Sequence, residues 1–497
     1  MRTPHELSVR QVDFLFCPWE HRKLPLSTRV VMTTMLHSLA PGGLPTPGMV
    51  DYYYQRACRS VGLILTENVA VCPCASDNPD HAEFYSGAAL RLWKQVCQAV
   101  HRTACKIAPV LWHAGELHTG GSRRRPSDGD ALSPSGINPI TLERTGDPMT
   151  VQRMREIIRA YALAAQHAQQ LGFDAVAING GEMSLIDQFF RADTNRRTDE
   201  YGGDLERRTR FARELICAVR KAVGSRFPII LRISQTEAPH LSTKLANTPL
   251  ELSDLLLPLS EMGVDIFDCA SPNIMQPAFE GSPLTFAGWV RVLTGKPTIA
   301  IGSEGIPPAP FPSPKQPAPQ TAPEAAPSDG QASRHAPASP EKAPAQTPQA
   351  HAQAANAQQT PHEPAEQAIS GAPDQAADET PSQGTDSAEN TAPGASASTN
   401  RLDHWLHSLV HMLRAGEIDL LAFGHALMHN PAWVSNIREA RQDASQGTPS
   451  ATSQHTPPPS TNPNTPPVTS PNNTSTNPAG STHAQPHSQE AQTKEHP

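Results

Sequence analysis

Long hydrophobic runs are missing from this chain: no segment reaches the roughly 18 unbroken apolar residues that a spanning helix requires, which excludes a membrane as its medium. The opening residues, MRTPHELSVRQVDFLF, also lack a basic stretch followed by an apolar core of the secretory type, so a cytoplasmic protein is expected. An excess of basic residues is missing as well. Forty Lys and Arg stand against 48 Asp and Glu, a net charge of -8, and this removes nucleic acid as a partner. Aromatic residues are scarce at 5%, and hydrophobic residues of all kinds reach only 37%, too few for a uniformly folded chain of this length. A normal core diluted by disordered sequence accounts for both values. Cysteine is sparse and irregularly spaced, eight in 497 residues, which excludes a disulfide framework and suggests reduced, mostly buried thiols. Cys72-Pro-Cys74, with His81 nearby, is the one close set; the sequence supplies no second half at metal-ligand spacing, so a buried or loop pair and no metal are expected.

Proline, by contrast, is abundant, 51 in all, and it is concentrated. From about residue 307 to 400 the chain collapses into Pro, Ala, Gln, Ser and Thr, and after about 442 into Thr, Pro, Asn and His, compositions that cannot bury a core. Four segments follow: a globular part over 1–306, a disordered insert over 307–400, a second globular part over 401–441 and a disordered tail over 442–497. Within the globular parts eight short apolar runs recur: RVVMT, GLILTE, KIAPVLW, DAVAI, PIILRIS, VDIFDCA, PTIAIG and DLLAF. Amphipathic patterns such as Val151 to Leu171 and Leu205 to Val223 precede several of them, and strand-helix alternation of this kind demands a parallel sheet. Eight buried parallel strands close into an α/β barrel of the (β/α)8, or TIM, type, interrupted by the insert after its seventh strand. An open flavodoxin-like sheet is the alternative, and no Gly-x-Gly-x-x-Gly follows the first strand to support it.

In such a barrel the chemistry sits where strands end and the following loops begin. The fourth run empties into Asn179, Gly180, Gly181 and Glu182, an amide and a carboxylate facing a pocket. Just beyond, LIDQFFRADTNRRTDEYGGDLERRTRF resembles the signature loop and helix of the old yellow enzyme family, the FMN-dependent NADH:flavin oxidoreductases. YYYQRACRSVGLILTE, KIAPVLWHAG, FPIILRIS and LLAFGHALMHNPAWV agree with it in order and spacing, from about residue 12 to 440.

The resemblance implies FMN at the barrel mouth, NADH or NADPH as reductant, and a small-molecule electron acceptor such as an activated alkene. It places the pair that hydrogen-bonds the acceptor's carbonyl on Asn179 and Glu182, and the usual proton-donating tyrosine on Ser184. Asn179 can donate; an ionised Glu182 only accepts, so this carboxylate is either solvated or ion-paired or, if burial raises its pKa, a neutral acid. The flavin contacts implied are Thr34, Met35 and Leu36 after the first strand, Asn68 after the second, Val110 in the third and Arg232 in the fifth. For the phosphate they are Gly302, Ser303, Gly424 and His425. Thr34, Leu36, Asn68, Val110, Asn179, Glu182, Ser184 and His425 depart from the family pattern, so weakened catalysis and weaker FMN binding are expected, and a non-catalytic barrel whose disordered arms bind a protein partner is the alternative. Trp112 and His113 are expected to pack beneath the site. The signature loop is read as structural, with Gly202-Gly203 turning, Asp204 capping the next helix, and Arg196, Arg197, Asp199 and Glu200 forming an ion-pair lattice.

Overall fold

In the computed structural model each of the eight apolar runs is a strand: β1 (Val30–Met32), β2 (Leu63–Ala70), β3 (Lys106–Trp112), β4 (Val176–Asn179), β5 (Ile229–Ser234), β6 (Ile266–Ser271), β7 (Thr298–Gly302) and β8 (Leu420–Phe423). All pair in parallel in chain order, and β8 returns to β1, Val30 beside Leu421 and Met32 beside Phe423, so the sheet is a closed barrel. The helices are α1 (Pro47–Ala57), α2 (Gly87–Val100), α3 (Val151–Leu171), α4 (Leu185–Phe190), α5 (Leu205–Val223), α6 (Pro249–Met262), α7 (Phe286–Thr294), α8 (Ala395–Ala415), α9 (His425–His429) and α10 (Trp433–Gln446). The structure describes residues 12–35, 39–76, 78–117, 132–235, 244–302 and 395–446, with side chains in the last stretch from 404 to 439. Leu36, Ser303, the chain from 303 to 394 and the chain beyond 446 therefore lie outside the described residues. Among those described, no helix is long and apolar enough to cross a membrane.

Local chemistry sets the helix starts. Thr150, Asp204, Thr248 and Thr285 each accept a backbone N–H from the first turn of α3, α5, α6 and α7, the cap those residue types favour. Gly172, at φ 93°, closes α3 in the left-handed conformation that costs a glycine least.

Alternate residues of each strand face opposite sides and build two cores. Val31, Leu63, Leu65, Ala108, Val110, Ala175, Ala177, Ile230, Ile266, Ile299, Leu420 and Ala422 fill the barrel interior. Trp19, Leu24 and Leu26, from a turn ahead of β1, join that cluster, and Lys23 reaches Asp265 just before β6 at 2.5 Å. The N-terminal end of the barrel is thus plugged with apolar side chains. The outer strand faces pack against the helices in the larger cluster, with Ile64, Ile107, Leu111, Ile178 and Leu231 meeting Trp93, Ile157, Phe211 and Leu255.

One strand departs from the simple reading. β2 runs past GLILTE to Ala70, and its register with β3 shifts, Leu65 facing Ala108 but Asn68 facing Val110. The extra residue is a bulge. Thr66 Oγ1 accepts the Val110 N–H at 3.1 Å across it, and the added residue turns Asn68, rather than Glu67, to the interior face that Leu63 and Leu65 occupy lower down.

Candidate active site

Continuing the interior alternation one step beyond the apolar layers brings Thr33, Asn68, Asn179, Arg232 and Asp268 to the C-terminal mouth. All but the half-buried Asn68 are nearly or fully buried. Asn179, the last residue of β4, donates from Nδ2 to Asn68 Oδ1 at 3.1 Å and accepts the Gly181 N–H on Oδ1 at 3.0 Å. Gly180 and Gly181 then carry the chain closely over β5: a Cβ on Gly180 would lie 2.9 Å from the Arg232 carbonyl oxygen, and one on Gly181 2.9 Å from Ser234 Cβ. Glu182 and Met183 follow at φ 55° and 62°, a left-handed pair that non-glycine residues adopt only when the surroundings enforce it. The enforcing contacts are the Ser184 N–H to the Gly181 carbonyl, the Met183 N–H to Asp187 Oδ2, and Gln188 Nε2 to the Met183 carbonyl. Ser184 is buried and its hydroxyl donates to the Asn179 carbonyl at 3.0 Å, inward along the turn.

The turn presents the Glu182 carboxylate, 46% exposed, to Arg232 Nη1 at 3.6 Å. Arg232 itself is buried. Its Nε donates to Asp268 Oδ2 at 2.7 Å, and its Nη2 reaches both that oxygen and the Thr33 hydroxyl, so the guanidinium spans from β5 to β1 across the mouth. Two carboxylates therefore share one cation. Burial lifts Asp268 above the usual carboxylate range; Arg232 opposes that lift and the charge of Glu182 reinforces it. Asp268 Oδ1 has no hydrogen-bond partner among the described residues. Glu182 is thus a half-exposed carboxylate beside a buried guanidinium.

The remaining expected positions among the described residues lie at or just after the ends of β1, β7 and β8 or within β3. Thr34 and Met35 are half-buried after β1. Val110 is buried in the apolar interior. Gly302 ends β7, where a Cβ would lie 2.7 Å from the Ile274 nitrogen; Gly424 follows β8, where a Cβ would lie 2.6 Å from Met35 Sδ. His425 is exposed at the start of α9. Thr33 and Asp268, which fix Arg232, were not singled out by motif reasoning; the signal was the carboxylate inside the apolar run VDIFDCA and the two-residue step from Val31. The signature loop is braced more narrowly than the four-residue lattice expected of it. Arg197 bonds Asp199 and the carbonyls of Pro134 and Met149, Glu200 turns instead to Arg210 at 2.8 Å, and Arg196 contributes its backbone N–H to Ser135. Asp204 caps α5 as expected.

His113, just past β3, is fully buried, and burial, with the charge of Arg153 adding, pushes its pKa down to about 3. Beside it, Cys72 and Cys74 are half-buried in the loop after β2, one of the two placements expected, and are joined by a disulfide, which corrects the expectation of reduced thiols for this pair. Sequence spacing could not show that the β2 loop meets the end of β3.

The mouth suits a flavin mononucleotide in part. A buried guanidinium and an orphaned carboxylate oxygen offer polar contacts to a ring edge, while the glycines that end β7 and follow β8 are packed against Ile274 and Met35 and offer backbone alone to a phosphate. Val110 offers no side-chain hydrogen bond, and the exposed imidazole of His425 lacks the bidentate fork of an arginine.

The family model described as the NADH:flavin oxidoreductase / NADH oxidase family matches residues 14–303. An NADPH dehydrogenase of Halalkalibacterium halodurans is 31% identical over 296 residues, 58% of this chain and 82% of that protein. A 12-oxophytodienoate reductase 1 of Oryza sativa subsp. japonica is 35% identical over 231 residues, 45% of this chain and 60% of that protein. Among solved structures, morphinone reductase in complex with tetrahydroNAD aligns with a TM-score of 0.55 at 20% identity, covering 86% of this chain and 91% of that one, a likeness of fold.

Proposed function

Since the chain belongs to the NADH:flavin oxidoreductase / NADH oxidase family, we propose that it binds FMN at the barrel mouth and oxidises NADH or NADPH, with electron transfer to a small-molecule acceptor that it activates weakly. The observation that carries this reading is Arg232, a buried cation crossing the mouth with two carboxylates on it. Bound there, FMN would supply two-electron transfer between the nicotinamide and the acceptor. Arg232, Thr33 and Asn68 would hold the ring edge, and Gly302, Gly424 and His425 the phosphate. The finer departures concern what these residues do for the acceptor. An acceptor carbonyl needs hydrogen-bond donors; Asn179 already spends one N–H on Asn68, and Glu182 brings only acceptor oxygens. Losing one preorganised donor costs about 3 kcal/mol, roughly 10² in rate. Ser184, with its hydroxyl turned to the Asn179 carbonyl, is a poor replacement for a proton donor.

The same internal satisfaction of donors favours a second reading, a barrel that keeps the fold without the chemistry. A visible absorption spectrum of the purified protein, taken after incubation with FMN and desalting, separates the two. Flavin bands are expected to remain, and NAD(P)H to bleach them; a colourless protein with a cooperative melt would establish the second reading. In the flavin-loaded protein, Glu182→Gln removes one of the two negative charges on Arg232, so the midpoint potential of the bound flavin is expected to rise. An unchanged potential would show that the carboxylate is electrically remote from the ring.

A further inference from the structure

The loop after β2 and the end of β3 bring together three groups that the flavin reading leaves unused. Backbone bonds fix their approach: the Val71 N–H reaches the Trp112 carbonyl at 3.4 Å, and the Ala114 N–H reaches the Ala75 carbonyl at 2.8 Å. Between these bonds a ring nitrogen of His113 and the sulfurs of Cys72 and Cys74 lie within 4.8 Å of one another. His113 Nδ1 accepts the Gly115 N–H at 2.9 Å. In a neutral imidazole that assignment puts the proton on Nε2, and Nε2 is buried with no hydrogen-bond partner among the described residues. It is a buried donor on a ring that has one nitrogen within 4.8 Å of both sulfurs.

We propose that Cys72 and Cys74 are a redox-active disulfide/dithiol pair, reduced by dithiol compounds, in which His113 Nε2–H is the donor that stabilises the thiolate released on reduction. Three observations favour this over the other uses of such a cluster. A cross-link between residues only two apart constrains very little of the unfolded chain, so this disulfide contributes little as a structural staple. Both cysteines are partly exposed, which gives a reductant access. A metal centre would need a lone pair from the imidazole, and the nitrogen with spare capacity carries a proton. His81, from the same loop, is edge-on to Trp112 and bonded to Ser76.

The step balances as ordinary thiol–disulfide exchange. A thiolate of the incoming dithiol attacks one sulfur, the Cys72–Cys74 bond breaks, and the second sulfur leaves as a thiolate facing His113. The reductant's other thiol then displaces the mixed disulfide. Two electrons and two protons pass to the protein, and the reductant departs as its own disulfide. The loop can report its state to the candidate active site, because the His113 carbonyl accepts the Leu185 N–H at 2.9 Å, one residue beyond the turn that carries Glu182 to Ser184. The proposal does not depend on whether FMN binds.

The test is a redox titration of the full chain in graded ratios of reduced to oxidised dithiothreitol, quenched with N-ethylmaleimide. Digestion with trypsin gives the peptide from Ser60 to Arg91, which contains Cys72 and Cys74 and no other cysteine, so its mass reports this pair alone. The expected result is a reversible two-electron transition in protein whose melting curve is unchanged. His113→Leu is expected to shift the equilibrium toward the disulfide about tenfold, equivalent to about 30 mV for a two-electron couple, and His113→Gln, which keeps an N–H near the Nε2 position, to recover part of the shift. Three results would overturn the proposal. A pair that stays oxidised at every ratio is a structural disulfide. Reduced protein that retains one equivalent of added Zn2+ through buffer exchange contains a metal centre instead. A folded His113→Leu protein with an unmoved midpoint shows that the imidazole plays no part.

Discussion

At the scale of single residues, the mouth of this barrel is unusual in how its charges are matched. Arg232 carries one positive charge and meets two carboxylates, one fully buried and one half-exposed. His113, just past β3, remains neutral because it is enclosed. That neutrality has a consequence for stability that can be signed. The folded state holds the His113 pKa at about 3, and the unfolded chain restores it to about 6.5. The unfolded state therefore binds a proton that the folded state refuses. The contribution of this residue to stability is complete above pH 6.5 and is lost as the pH falls from there toward about 3, at up to about 1.4 kcal/mol per pH unit. Urea unfolding at pH 7 and pH 5 is expected to show about 2 kcal/mol more loss in the wild-type chain than in His113→Leu. Equal losses would mean that the imidazole is protonated in the fold. None of this was legible in the motif, since LWH gives the residue and only its surroundings give its state.

At the scale of elements, the sequence reading went furthest where periodicity is long. The helices over 151–171 and 205–223 end where their apolar spacing ends, and the eight strands fall on the eight runs. It failed where one residue changes the count. The β2 bulge interrupts a two-residue alternation, so nothing in TENVA announces that Asn68 faces inward to meet Asn179. Thr33 and Asp268 were hidden for another reason, because their partnership with Arg232 exists only once β1 and β6 are wrapped around a common axis. The turn after β4 shows the same dependence on closure. Gly181 looks like any flexible glycine until β5 lies beneath it, with Ser234 2.9 Å from where a Cβ would stand. Gly181→Ala is expected to cost about 1 to 3 kcal/mol through overpacking against a strand that cannot yield. A loss below about 0.5 kcal/mol in denaturant titration would show that the turn is looser than this geometry requires.

For the whole molecule the informative feature is the order in which a closed barrel receives its parts. About 90 residues separate the end of β7 from the start of α8, a segment whose composition marks it as an insert. Because loop closure costs only as the logarithm of length, removing residues 310–385 is expected to stabilise the barrel by about 1 to 2 kcal/mol and to raise Tm by a few degrees at most. A fall in Tm would assign the segment a structural task. The same spacing acts in time as well as in space. β8 alone can bridge β7 and β1, yet a ribosome reaches it about 120 residues after β7. At roughly 5 to 20 residues per second the interval is about 6 to 24 seconds. Throughout it a seven-stranded sheet waits with both margins unpaired, and such margins invite association with other chains. The nascent protein thus has a window of vulnerability set by its own gene, the consequence of placing the closing strand last.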